Sequence, residues 1–304
     1  MFFKNKETIL VGRLKRLGAD LLLLSVAIIW GSTFLIVQDA TKQTSVYTFL
    51  FWRFLLATLL MMLFSLKHLH FMDKKTLLAG FIIGTFLFFG YAFQTFALLY
   101  AYSSTVGFIT GLNVVIIPFV LFAVFRQKVS FYSCIGAIIA ALGLYFLSIN
   151  AQIGINRGEF YAFLCAFMFS FQIVFTGFYT KKYNTYLLVL IQFFTVCIFC
   201  FFGVLFFGNP ILPPEFSVVF IKAIIITSVF ATIFAFFVQT AMQKFVSSTK
   251  TAIIFTCEPI AAGIAGYFFA NETFTHIQLA GAFLIIAGML AAEVGDYIVK
   301  KIKR

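Results

Sequence analysis

From Thr76 to Phe125 the chain carries no charged side chain, a run of 50 residues. As one helix it would be roughly 75 Å long, against a hydrocarbon core of about 30 Å. The segment must therefore fold back once, and the polar patch Tyr100–Thr105 is the natural turn. Other charge-poor runs are Leu21–Gln38, Val129–Asn156, Tyr183–Pro214 and Thr273–Ala292. Together they predict ten helical spans, near 21–38, 46–66, 77–99, 105–125, 131–149, 159–179, 185–207, 218–243, 251–270 and 274–293. Only 11% of residues are charged and 62% are hydrophobic, whereas a soluble domain carries about a quarter charged residues. The runs are continuously apolar and do not alternate, which argues against a membrane β-barrel. The expected fold class is an all-α membrane protein.

The net charge of +12 raises the question of nucleic acid, and its distribution answers it. With ten spans and a cytoplasmic N-terminus, 18 of the 22 basic residues fall in cytoplasmic segments. They include Lys4, Arg13, Lys67, Lys74, Arg126, Lys128, Lys181, Lys182, Lys244, Lys250 and Lys300. The opposite side holds Lys42, Arg157 and Lys222, and Arg53 lies within a span. This is the positive-inside pattern, so the charge reports orientation against anionic lipid. It predicts a multi-pass protein of the plasma (inner) membrane with both termini cytoplasmic. The basic N-terminal stretch leads into a long apolar run without a small-residue cleavage pattern, which reads as a retained start-transfer helix.

Two parts of the chain resemble one another at a spacing of 145 residues. Gln94-Thr95 reappears as Gln239-Thr240, Ser103 as Ser248, Gly136-Ala137 as Gly281-Ala282, and Gly143 as Gly288. Each half holds five predicted spans. Five is odd, so the second half starts on the opposite face and the two repeats are inverted. Inverted repeats suit alternating access to one central site. The glycines recur at near-helical spacing, as expected of closely packed helices in lipid.

Trp30-Gly-Ser-Thr-Phe34 and Arg53-Phe-Leu-Leu-Ala57, followed by Gly107–Ser148 and Ser247–Glu293, resemble the EamA family of the drug/metabolite transporter superfamily. In the second repeat the matching pieces are Glu258-Pro259, Glu272, Gln278, Gly281 and Gly288. The resemblance implies ten helices in inverted five-helix repeats. It also implies transport of small metabolites without ATP hydrolysis, with export the favoured direction. The implied organisation is a cytoplasmic N-terminal segment 1–20, a first repeat 21–149, a second repeat 158–293 and a basic tail 294–304. Asn113 departs from the family at a position where an aromatic residue is usual, and Asn271 precedes Glu272 where glycine is common.

The candidate substrate-binding residues are Trp30, Arg53, Tyr91, Gln94, Asn113, Gln172, Gln192, Gln239 and Glu258. Arg53 is the basic residue deep in a span, where charge costs roughly 2.5–3.5 kcal/mol on insertion scales. It reads as partner to a substrate carboxylate, as one half of a gating ion pair, or as a structural anchor. Glu258 precedes Pro259, which cannot donate to the helical ladder. It could bind a substrate amine, take up a coupling proton, or hold local helix geometry. Pro118 is the expected counterpart break in the fourth span. The amides of Gln94, Asn113, Gln172, Gln192 and Gln239 need polar partners, either in a substrate or on neighbouring helices. Trp30, Tyr91, Tyr145 and Phe171 could line an aromatic cavity.

The five cysteines fall inside predicted spans, which argues against a disulfide framework. Cys197-x-x-Cys200 has metal or redox spacing but no histidine nearby, and apolar packing is the simpler reading. His68, His70 and His276 lack partners at metal-ligand spacing. No Walker loop, dinucleotide fingerprint or nucleophile elbow is present, so neither a cofactor nor catalysis is expected. The expected partners are a small-molecule substrate, the lipid bilayer and a coupling proton; nucleic acid is not expected, and a homodimer is left open. The rival reading is a passive channel or facilitator on the same fold.

Overall fold

The computed structural model describes residues 2–148 and 156–302, with side chains for 17–148 and 156–292. The side chains of residues 1–16 and of the expected tail 294–304, and the junction 149–155, lie outside the described residues. Every described element is helical. In chain order they are α1 (Phe2–Thr41), α2 (Val46–Ser65), α3 (Lys74–Leu98), α4 (Ser103–Thr110) and α5 (Asn113–Phe125). Next come α6 (Phe131–Ser148), α7 (Arg157–Tyr179), α8 (Thr185–Phe206) and α9 (Val218–Ile226). The last are α10 (Ala235–Met242), α11 (Ser248–Phe255), α12 (Cys257–Ala270) and α13 (His276–Ile302). A π-helical stretch, Thr227–Phe234, joins α9 to α10. Among the described residues, nine helical stretches are long and apolar enough to cross a membrane, and His276–Ala292 is a shorter apolar helix. Large apolar side chains such as Phe131, Phe206, Phe269 and Phe283 face outward, which suits lipid rather than water.

The two halves pack alike. Helix α1 lies on α11 and α12, as α7 lies on α4 and α5. Helix α4 meets α12, as α11 meets α5, while α2 pairs with α8 and α6 with α13. The α6–α13 contact is built on the glycines. A methyl group at Gly143 would sit 2.7 Å from the Gly281 carbonyl oxygen, and one at Gly136 2.5 Å from that of Gly288. Those backbones touch because no side chain separates them.

The repeat also appears in backbone conformation. Helices α4 and α11 are eight residues each and occupy matching positions, Ser103–Thr110 and Ser248–Phe255. Their partners α5 and α12 end in left-handed residues at matching positions, Arg126 (φ 56°) and Asn271 (φ 52°). The next N–H in each case reaches back to the helix: Gln127 to the Leu121 carbonyl at 3.3 Å, Glu272 to that of Gly266 at 3.1 Å. Both are left-handed helix caps of the kind that satisfies orphan carbonyls.

The breaks do not fall where proline alone suggests. Pro118 lies inside α5, and the chain turns earlier, at Gly111 and Leu112. There the N–H groups of Leu112 and Val114 reach Ile109 and Gly111, a tight three-residue turn. In the second half the break is at Thr256, and Pro259 sits in the first turn of α12, where a missing N–H leaves no intrahelical bond unmade. With the breaks so placed, Asn113 and Glu258 are repeat counterparts, each in the first turn of a half-helix.

A capping carboxylate links the halves. Tyr102, at the start of α4, offers no side-chain cap. Glu272 supplies one from beyond the end of α12. Its Oε1 accepts from the Ser103 N–H at 2.9 Å and hydroxyl at 2.7 Å. Its Oε2 accepts from the Ser104 N–H at 3.2 Å and from the Ser104 hydroxyl. Negative charge at a helix N-terminus also suits the helix dipole.

Candidate functional site

Arg53 projects from α2 and is 2% exposed. Its Nε donates to Thr232 Oγ1 at 2.9 Å and its Nη2 to the Tyr91 hydroxyl at 3.0 Å. The guanidinium carbon lies 4.4 Å from the Tyr91 ring centroid, a cation–π distance. The two ion pairs among the described residues, Lys42–Asp39 and Lys250–Asp20, leave Arg53 without an acidic partner. Glu258, in the first turn of α12, is 4% exposed. Its carboxylate makes no ion pair or hydrogen bond among the described residues. A buried ionisable group without a partner is costly to charge, and both Arg53 and Glu258 border the same space.

That space is a cavity lined by Arg53, Glu258, Trp30, Tyr91, Gln94, Asn113 and Gln172, together with Thr33, Phe34, Val37, Leu98, Phe169, Ile173 and Phe236. It is small, with a volume of about 30 Å³. Its polar groups come from both repeats: Asn113 from the first half-helix pair and Glu258 from the second. The aromatic wall is fixed by ring contacts, with Tyr91 at 5.4 Å from Phe169 and Trp30 at 5.1 Å from Phe236. Trp30 Nε1 donates to the Ala231 carbonyl at 2.8 Å.

Seven of the nine expected residues thus border one cavity. Gln239 stands outside it and donates through Nε2 to Gln172 Oε1 at 3.2 Å, behind the wall. Gln192 is fully buried between α8 and α3, where its backbone lies against Gly84, and neither amide atom has a partner among the described residues. Asn113 Oδ1 is also buried and unpartnered. The aromatic expectations divide. Tyr145 is 63% exposed, because the opposite face of α6 carries Gly136 and Gly143 against α13. Phe171 stacks on Phe86 at 4.9 Å, away from the cavity. Phe34, Phe169 and Phe236 occupy the wall instead; Phe34 ends the quoted Trp30 motif and Phe236 is the repeat counterpart of Tyr91, while nothing in a chain with 46 Phe marks out Phe169. Thr232 and the π-helical stretch were also not signalled.

Two larger clefts open at the ends of the bundle. One is lined by Gln38, Tyr100, Tyr102, Asn156, Glu159 and Gln278. Gln38 in its lining donates through Nε2 to the carbonyls of Leu98 and Ala101, each at 2.9 Å. The other lies at the start of α11, beside Gln127, Lys181 and Ser248. The cysteines are free, and Cys197 and Cys200 are buried in α8. Among the described residues no group of His, Cys, Asp and Glu could hold a metal ion.

A bundle of apolar helices around a cavity lined by polar and aromatic side chains defines a polytopic membrane protein. The EamA-like transporter family matches residues 17–149 and 156–292, and the chain belongs to that family. A protein of Archaeoglobus fulgidus called an uncharacterized transporter is 33% identical over 280 residues, covering 92% of this chain and 87% of its own. A second transporter of that organism, also called uncharacterized, is 42% identical over 50 residues, 16% of this chain and 18% of its own. One solved crystal structure superposes with a TM-score of 0.69 at 14% identity, covering 91% of this chain and 96% of that one, a likeness of fold. The protein is a multi-pass membrane transporter.

Proposed function

We propose that this transporter is a secondary carrier of small zwitterionic metabolites, amino acids or close relatives, working by alternating access. The observation that carries the reading is the shared cavity of Arg53 and Glu258, each without a charged partner. A substrate carboxylate suits the Arg53 fork, and a substrate ammonium suits Glu258. Aromatic and aliphatic walls suit an apolar side chain between the poles. Each pole then receives its counter-charge only when substrate is bound, which ties occupancy to conformation.

In this reading ten helices form two inverted five-helix repeats, and the half-helices at Asn113 and Glu258 meet near mid-membrane. The basic residues at the α11 end make that end cytoplasmic, and the membrane is the plasma (inner) membrane. Transport runs outward, coupled to a proton carried by Glu258.

The test is counterflow in proteoliposomes. Vesicles preloaded with unlabelled L-leucine should transiently concentrate labelled L-leucine added outside. A passive pore would equilibrate label without overshoot, and that result would replace the carrier reading with a facilitator.

A further inference from the structure

We infer that Thr232, together with the π-helical stretch that carries it, positions Arg53 to receive a carboxylate. The inference rests on the reading of Arg53 as the anion-binding pole. In an α-helix each carbonyl accepts from the residue four positions on; in a π-helix it accepts from the fifth. The widened turn from Thr227 to Phe234 presents side chains and a carbonyl to neighbours that a regular helix would not reach in this register. Three contacts use it. Thr232 Oγ1 accepts from Arg53 Nε at 2.9 Å. Ser228 Oγ donates to the Arg53 carbonyl at 2.9 Å. The Ala231 carbonyl accepts from Trp30 Nε1 at 2.8 Å. The stretch therefore grips the backbone and side chain of one cavity residue and the side chain of another.

The direction of each bond is determined. The Thr232 hydroxyl has one proton, and it goes to the Thr227 carbonyl five residues back, at 2.8 Å. Its oxygen is thereby left to accept from Arg53. The guanidinium is anchored at Nε by Thr232 and at Nη2 by Tyr91. Nη1 makes no hydrogen bond among the described residues, and Arg53 borders the cavity. A carboxylate arriving there meets an oriented fork, because the Nε edge is already held. The corresponding middle of α3 in the first repeat is uninterrupted α-helix, so this device belongs to the Arg53 side. π-Turns of this kind are frequent at functional sites.

Thr232→Val keeps the shape of the side chain and puts a methyl group in place of the hydroxyl; Thr232→Ser keeps the hydroxyl. Two readouts on the full-length protein in detergent separate positioning from simple stability. The first is solvent exchange of the Arg53 Nε–H, by NMR of protein carrying ¹⁵Nε-arginine, with the signal assigned by its loss in Arg53→Lys. The second is binding of L-leucine against isoamylamine, which is leucine without its carboxylate. Thr232→Val should speed Nε–H exchange at least about tenfold. It should weaken leucine binding by about tenfold and leave isoamylamine unchanged, and Thr232→Ser should restore both. Unchanged Nε–H exchange in Thr232→Val, or equal loss for the two ligands, would overturn the inference. Arg53→Gln binding leucine as tightly as the unaltered protein would refute the anion-binding reading instead. The exchange measurement reads the positioning contact whatever the substrate is.

Discussion

At the scale of single residues, membrane depth makes polar groups conspicuous. Arg53, Glu258, Asn113, Gln94 and Gln172 were legible in the sequence because each must find a partner in a medium that offers none. Arg53→Gln should insert and fold but lose roughly 10- to 150-fold in affinity for carboxylate substrates, the equivalent of about 1.5–3 kcal/mol for a charge-assisted bond. Arg53→Lys should not rescue it, since a lysine ammonium cannot hold Thr232 and Tyr91 while offering a planar fork. Equilibrium binding measurements check both. Glu258→Gln should abolish accumulation driven by a pH gradient and also slow counterflow, because the substrate ammonium loses its carboxylate partner. Flux assays with and without an imposed gradient separate these outcomes. The limits of reading residues singly are equally physical. Gln192 and Gln239 have the same chemistry as Gln94, and only helix rotation decides that they face α3 and α7 instead of the cavity.

At the scale of elements, spans and turns were readable from charge spacing, whereas interruptions within spans were not. Proline pointed to a break at Pro118, but the chain turns at Gly111 and Leu112, where matching half-helices of eight residues end. The π-helical stretch carries no proline or glycine and left no mark in the sequence. Capping was half visible: Glu272 stood out in the family resemblance, but its partners Ser103 and Ser104 lie in the other repeat. Glu272→Gln should lower stability by about 1.5–3 kcal/mol, because charge-assisted bonds to two N–H groups and two hydroxyls become partial ones. Thermal unfolding in detergent, with Thr273→Ala as an exposed control, measures the loss. Outside the membrane, Asp73 caps α3. Bonds from the Thr76 hydroxyl and N–H hold its carboxyl below the usual carboxylate value. That contribution is complete above the ordinary carboxylate pKa and fades as pH falls through the lowered one. Asp73→Ala should therefore differ from the unaltered protein near neutrality and converge with it in acid.

At the scale of the molecule, the repeat of 145 residues is the link from sequence to mechanism. It predicts which helices exchange roles, and the paired packing of α1 with α12 and α7 with α5 follows it. The same register puts Asn113 opposite Glu258, so the two halves contribute unequal chemistry to equivalent positions. Glu258, the one carboxyl bordering the cavity, gives the proposed proton coupling its candidate group. The proposed ten-span arrangement requires both termini on one face, and fluorescent or enzymatic reporters fused at each end should report the same compartment.

The central claim is that one cavity opens in turn to each face. Thr33 lines it without contributing a charge, so Thr33→Cys, in a chain freed of its five native cysteines, is a direct probe. Membrane-impermeant thiol reagents applied separately to each side of oriented proteoliposomes should label it from both, and saturating L-leucine should protect it. Labelling from one face alone, or from neither, would contradict alternating access.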